Sequence, residues 1–584
     1  MKKEEAYLQI GAYEVKQDGT LCFVQTKTDK SGSPYLETTS IANHAPIVKR
    51  LKRLDNGIEI SETIEISVRR AFKETVFQMT MDQLFSQYPH KAFGAACMVF
   101  LGRGFIGEYR QFVQVQCADM QSYTVYQHTG IKCIDGERVF LNGGFSVTRN
   151  GLTDQYCVEL ENQMENYSFT NKRTDDRYHV FRELFNIAPL SVILPCVVYC
   201  FQSAMNPLYR EAGIEPSFLL YIIGKTGSRK TTLAKLLLNF FGHFEYATPS
   251  PAGFRDTANA IEKKYAVGDG IVLLIDDKVP YTNAYLKANA DGVEQAALRL
   301  SGDKAPRAKM NADGTLKKAY RPKAGCIMTG EDGLQSVTES GIARAFTVEL
   351  KPTDIDLDKL TYLQENADRL NQIMSEFIQF MLIHWDALRE ELYPAFSKLR
   401  QEAQSVGHGR LADAVAHLRL TLIIACSWLL SINEMTADQA HDLKEKAGTL
   451  FLSMAQEQQK RVIEDRPTKL YLDALKQMRE TGAIRFVNAK RHDDTAHDGK
   501  IGYVDDRFFY LIPDAAYNAV CKFYREQDRR FPLSKTRIHE HLVLEGYVER
   551  GKSQITRNVR CCGLQGARLC LYKSALDDEG KEEE

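Results

Sequence analysis

The chain has 584 residues, 44 % of them hydrophobic, and a formal net charge of −1. That length has room for about three or four domains with real cores, and near-neutrality excludes a globally basic nucleic-acid binder, so any DNA contact must be local. Thirteen cysteines, an odd number without a C-x-x-C pair, argue against a disulfide framework or a zinc ribbon and for free thiols in a reducing compartment.

Residues 1–175 alternate apolar and polar positions like strands, as in Thr124-Val125-Tyr126 and Val139-Phe140-Leu141. Gly-rich turns such as Asn142-Gly143-Gly144 separate them, and a helix is expected around residues 81–88. No catalytic constellation stands out there; Asp119, Asp135 and Glu137 read as turn and surface residues. The expectation is an N-terminal α+β domain that binds DNA or a partner. The polar stretch 168–176 reads as a linker, and residues 178–209 as a helical collar. The apolar run near 192–201 is too short to span a bilayer and contains Pro195, so no membrane association is expected and the protein is expected in the cytoplasm.

A strand-like run, Leu219-Leu220-Tyr221-Ile222-Ile223, then leads into Gly224-Lys225-Thr226-Gly227-Ser228-Arg229-Lys230-Thr231-Thr232 and a helical Leu233-Ala234-Lys235-Leu236. This is the setting of a phosphate-binding loop, in which backbone N–H groups and a helix start cradle the anion. Lys230 is expected to reach the β/γ-phosphates of ATP, and the Thr231 hydroxyl to ligate Mg²⁺. Arg229 replaces the usual second glycine, although Gly227 remains. Next, Ile271-Val272-Leu273-Leu274-Ile275-Asp276-Asp277 suits a strand buried on both faces of a parallel sheet. Asp276 is placed to hold the Mg²⁺ shell and Asp277, shorter than the usual Glu, to polarise the attacking water.

Between residues 299 and 323 eight Lys/Arg face two Asp, a local charge of +6. Asn311-Ala312-Asp313-Gly314 reads as a hairpin turn, with Lys309 on one arm and Lys317 and Lys318 on the other. The strand Gly325-Cys326-Ile327-Met328-Thr329-Gly330-Glu331 puts a polar Thr329 where a γ-phosphate would be sensed. Arg344 precedes the alternating Ala345-Phe346-Thr347-Val348-Glu349 and could serve a neighbour's site as a finger. Helices follow at 360–392 and 410–430. From about residue 468 the pattern suggests a winged helix: a helix from Lys535 and Arg537 to Leu544, then strand-turn-strand over 555–572. Residues 522–573 carry twelve Lys/Arg against five Asp/Glu, suiting phosphate contacts with duplex DNA through Lys535 and Arg537.

In this order the motifs resemble an AAA+ ATPase core. Residues 178–430 are similar to the replicative-helicase-like ATPases of bacterial mobile elements, such as the minichromosome-maintenance-like helicases of staphylococcal cassettes and pathogenicity islands. The resemblance rests on Thr257-Ala258-Asn259-Ala260-Ile261-Glu262, Met328-Thr329-Gly330-Glu331 and the basic insert between them. It implies a multidomain α/β protein: an N-terminal domain (1–175), an AAA+ core with parallel sheet (176–352), a helical lid (353–465) and a winged-helix-like domain with acidic tail (466–584). It further implies a homo-oligomer of hexamer type, a pre-sensor hairpin whose Lys309, Lys317 and Lys318 track single-stranded DNA in the pore, and a second sensor arginine at Arg410, with Arg419 the alternative. The implied function is an ATP-dependent, ring-forming DNA helicase for replication of a phage, plasmid or island. The competing reading is a P-loop NTPase switch in regulation or defence.

Overall fold

A computed structural model of the chain describes residues 6–279, 283–308, 310, 313–316, 318–331, 333–334, 339–464, 466–490, 499–527, 531–551 and 554–577. The chain divides into two compact units. The first comprises Met1–Gly333, Val348–Gln401 and Ala416–Gly448; the second comprises Leu334–Thr347, Glu402–Val415 and Thr449–Glu584.

The first unit opens on one antiparallel and one mixed sheet. Strands Leu8–Ile10, Tyr13–Val15, Leu21–Thr28 and Pro34–Ala42 form one sheet in sequence order. A second runs Cys157–Val158, Ser122–Tyr126, Ala45–Asp55, Ile60–Arg70, Lys73–Thr80. Helix Phe105–Cys117 buries Tyr109, Phe112 and Val113 against these strands, with Val48, Ile64 and Ile66 in the same core. The helix expected at 81–88 is a single capped turn, Met81–Phe85, which begins because the Thr80 hydroxyl and the Gln83 side chain cap each other's backbone.

The central sheet of this unit carries the motifs. Its strands are β1 (Leu219–Ile223), β2 (Ala252–Gly253), β3 (Val272–Lys278), β4 (Gly325–Gly330) and β5 (Ala345–Glu349), in the order β2-β3-β4-β1-β5. The pairs β1/β4, β2/β3 and β3/β4 are parallel. β3 reads as an unbroken apolar run because both its faces are covered: Val272 through Ile275 are all fully buried. Burying each such side chain stabilises the fold by roughly 1.5–3 kcal/mol. Helices α1 (Lys230–Leu238) and α2 (Ala284–Gly302) pack on the sheet, as does Leu190–Glu211. Parallel strands end together, so the phosphate loop after β1, the carboxylates at the end of β3 and the end of β4 share one edge.

The helical collar expected over 178–209 comprises Arg177–Leu184 and Leu190–Glu211, and Leu190–Glu211 continues through Pro195 and Pro207. It and Gly409–Ser431 are long and apolar enough to cross a membrane by length and composition, yet 89 % and 67 % of their apolar windows are buried inside the fold. Segment 168–176 is not a free linker: Thr170 N–H donates to Asn371 (3.1 Å) and Thr174 N–H to Gln372 (2.8 Å) on helix Asp368–Ile383.

In the second unit, helices Pro467–Glu480, Pro513–Arg525 and α3 (Lys535–Leu544) pack on a sheet of Arg485–Asn488, Lys500–Val504, Phe508–Leu511, Leu564–Tyr572 and Val548–Glu549. Strand Arg557–Cys561 extends Leu564–Tyr572 as a hairpin.

Candidate nucleotide-binding site

The loop between β1 and α1 is shaped by backbone. Gly224 must be glycine, since a Cβ there would fall 2.2 Å from the Leu350 carbonyl oxygen. Gly227 (φ +83°) and Arg229 (φ +69°) are both left-handed. Arg229 therefore adopts the conformation that the usual glycine adopts, at the N-cap of α1 and without a capping side-chain bond. Ser228 is fully buried beneath the loop, and its hydroxyl has no hydrogen-bond partner there, a donor held inside an anion cradle. The buried Lys230 Nζ donates to the loop's own carbonyls, Gly224 (2.5 Å) and Lys225 (3.2 Å). Thr232 lines the mouth of the loop.

Asp276 is fixed from three sides. Its Oδ1 accepts from Thr231 Oγ1 (2.9 Å) and Thr329 Oγ1 (2.7 Å), and its Oδ2 from Ser250 Oγ (3.0 Å). A β-bulge falls between Ile275 and Lys278, and inside it Asp277 is left-handed (φ +68°). The bulge turns Asp277 into the cleft while its N–H donates to the Thr329 hydroxyl (2.9 Å). Burial, then the Asp276 and Glu331 carboxylates, push the Asp277 carboxyl above its ordinary range against the pull of Lys230 and Arg255. Thr329 itself is fully buried, with its hydroxyl engaged by Asp276 and Asp277.

These groups face a cleft of about 750 Å³ lined by Thr226, Gly227, Arg229, Lys230, Thr231, Asp277 and Glu331, and closed on another side by Leu357, Leu360, Thr361 and Gln364. An adjoining cavity of about 650 Å³ shares Thr232, Tyr246, Thr361 and Gln364 with it. Tyr246 is 71 % exposed there, and its backbone is held by Lys235, whose Nζ donates to the Tyr246 and Thr248 carbonyls at 2.9 and 2.7 Å. The donor set fits a nucleotide with its metal: a buried ammonium, an orphan hydroxyl, the first N–H groups of α1 and a hydroxyl–carboxylate pair.

The other sequence-derived residues lie elsewhere. In the second unit, the Gln458 side chain donates to the carbonyls of Ile342 (3.3 Å) and Ala345 (2.6 Å) and accepts from Thr347 N–H (3.0 Å), fixing the chain on both sides of Arg344. Arg410 stands at the start of Gly409–Ser431, with its N–H on His408 Nδ1 (3.2 Å). Lys535 pairs with Asp514, and Arg537 with Glu540 (3.4 Å). Of the basic insert, Met310 and Leu316 bridge antiparallel about Gly314 (φ +83°), and Lys318 reaches the Ile58 carbonyl. Lys309 and Lys317 lie outside the described residues.

Sequence reasoning missed Ser250, Glu331 and Tyr246. Ser250 belongs to no motif and meets Asp276 only through the β2/β3 pairing. Glu331 had a signal: it stands two residues beyond Thr329, on the same side of the strand's path.

No protein-family model matches the chain, and no curated protein sequence does. Among solved structures, the chain is similar to the SCCmec type IV Cch, described as an active helicase. The TM-score is 0.58 at 13 % identity, over 98 % of this chain and 99 % of that one. It is also matched to a candidate ATPase from Cytophaga hutchinsonii ATCC 33406, at 12 % identity over 46 % of this chain and 85 % of that one; its TM-score of 0.22 adds nothing to the fold assignment. The multidomain α/β fold with its parallel central sheet is thus shared, end to end, with that helicase.

Proposed function

We propose that the chain is an ATP-dependent DNA helicase, active as a ring of identical subunits and serving replication of a mobile element in the bacterial cytoplasm. The observation that carries this reading is the joining of Thr231, Asp276, Thr329 and Asp277 by hydrogen bonds at the root of a phosphate loop, in a chain that shares its whole fold with a helicase. Lys230 would leave the loop carbonyls for the β/γ-phosphates of ATP, and loop N–H groups from Gly224 to Thr232 would take the remaining oxygens. Thr231 and Asp276 would hold Mg²⁺, which when bound offsets phosphate charge. Thr329 would report the γ-phosphate through Asp276 and Asp277, and the cavity under Tyr246 would receive the base and ribose.

Arg344 would act on the neighbour's nucleotide, Arg410 on its own. Helices after β5 would form the lid, and the second unit's α3 with hairpin 557–572 a winged helix contacting duplex through Lys535 and Arg537. The switch reading would draw on Arg229, which breaks the loop's motif; its left-handed backbone, the conformation a glycine takes there, supports the motor reading instead.

The test is strand separation. Reversing Lys309, Lys317 and Lys318 to Glu should leave basal ATPase nearly intact, abolish unwinding of a forked duplex, and flatten the salt dependence of DNA binding by roughly one counterion per lost contact. A triple variant that unwinds as well as the parent would refute the pore-hairpin assignment. Two proteins that hydrolyse ATP and unwind nothing would favour the switch.

A further inference from the structure

Three carboxylates meet at the phosphate loop, and they are not equivalent. Both oxygens of Asp276 already accept from Thr231, Thr329 and Ser250, which suits a metal shell. Asp277 faces the cleft from a bulge, on a side chain one methylene shorter than Glu. Glu331 also lines the cleft, and its Oε1 accepts from the Thr226 hydroxyl, so its carboxylate rests on the anion-binding loop itself.

The backbone below Glu331 is clamped on both sides. Gly330 accepts from Gly224 N–H at the root of the phosphate loop (3.1 Å), and Glu331 N–H donates to the Lys278 carbonyl at the end of β3 (3.1 Å). The backbone of the residue is thus tied to two neighbouring strand ends, a mounting that suits a positioned side chain. A phosphate and a carboxylate cannot share one set of donors. Entry of a triphosphate would therefore displace Glu331 from Thr226 and leave its carboxylate at the outer rim of the loop, beside the terminal phosphate.

We propose that Glu331 is the general base of hydrolysis, with Asp277 orienting the same water; this rests on the ATPase reading above. The water oxygen bonds to the γ-phosphorus as the bond to the β–γ bridging oxygen breaks. That electron pair stays on the ADP oxygen next to Lys230. The water proton passes to the Glu331 carboxylate and leaves with phosphate or solvent. General bases of this kind contribute on the order of a hundred- to ten-thousandfold.

The full chain would be compared with Glu331→Gln, Glu331→Asp and Asp277→Asn by single-turnover ATP hydrolysis, and by calorimetric titration with ADP and a non-hydrolysable ATP analogue. Glu331→Gln should lose on the order of a hundredfold or more in rate while binding both ligands within about threefold of the parent, or tighter. Glu331→Asp should fall between, and Asp277→Asn should lose less than Glu331→Gln. An active parent with an equally active Glu331→Gln overturns the assignment and leaves the ATPase reading standing. Loss of binding in proportion to rate overturns it too, as the mark of a structural role. A parent that binds nucleotide without hydrolysing it overturns both.

Discussion

Arg229 shows how one residue can break a motif and keep its geometry. Its left-handed backbone costs a non-glycine residue about 1–2 kcal/mol, part of which glycine would give back as unfolded-chain entropy. Arg229→Gly should therefore raise stability by at most about 1 kcal/mol. Thermal unfolding of the two proteins checks this, and a destabilised glycine variant would mean that the Arg229 side chain holds the loop. The sequence announced Lys230, Thr231 and the two aspartates because strand–loop–helix and strand–carboxylate patterns are local. It did not announce that Thr329 turns inward to Asp276, since that depends on the bulge in β3. Ser250 was silent because its partner Asp276 lies 26 residues away, and Glu331, though two residues past Thr329, gave no sign of its partner Thr226, 105 residues away.

At the scale of elements, α3 carries a histidine with a definite acid response. His539 is 5 % exposed, and burial, then Lys535, lower its pKa to about 4. In the unfolded chain the same imidazole titrates near 6.5. Its folded pKa lies below the unfolded one, so the unfolded chain binds the proton first. The associated stability is full above about pH 6.5 and is lost as pH falls toward 4. His539→Gln should flatten the fall in melting temperature of the second unit between pH 7 and 4.5; an unchanged slope would remove His539 as its cause. The helix itself was read in the sequence as running from Lys535 to Leu544, as it does. Leu190–Glu211 was legible too, within the collar read over 178–209, and tertiary packing carries it through two prolines that local rules would have used to end it.

For the whole molecule, the central strands follow from apolar runs that only a doubly covered sheet can bury, while their order was not legible in those runs. The N-terminal sheets were legible as strands but not as pairings, since register is set by contacts far apart in the chain. Assembly gives the prediction at this scale. Arg344→Ala should bind nucleotide but lose on the order of a thousandfold or more in turnover, as expected for a finger serving the neighbour. Mixing it with Lys230→Ala subunits should restore part of the hydrolysis at interfaces pairing an intact loop with an intact finger. No rescue at any ratio would place the arginine's action within its own subunit or in the fold.

The central claim is that the loop after β1 binds and spends ATP through Lys230. The most direct measurement is steady-state ATP hydrolysis by the purified full-length protein beside Lys230→Ala, with circular dichroism confirming the fold of both. The predicted result is turnover by the parent and none by the variant, whose far-ultraviolet spectrum is unchanged, because the ammonium that positions the β/γ-phosphates is gone. An equal rate in the two proteins would contradict the account at its root.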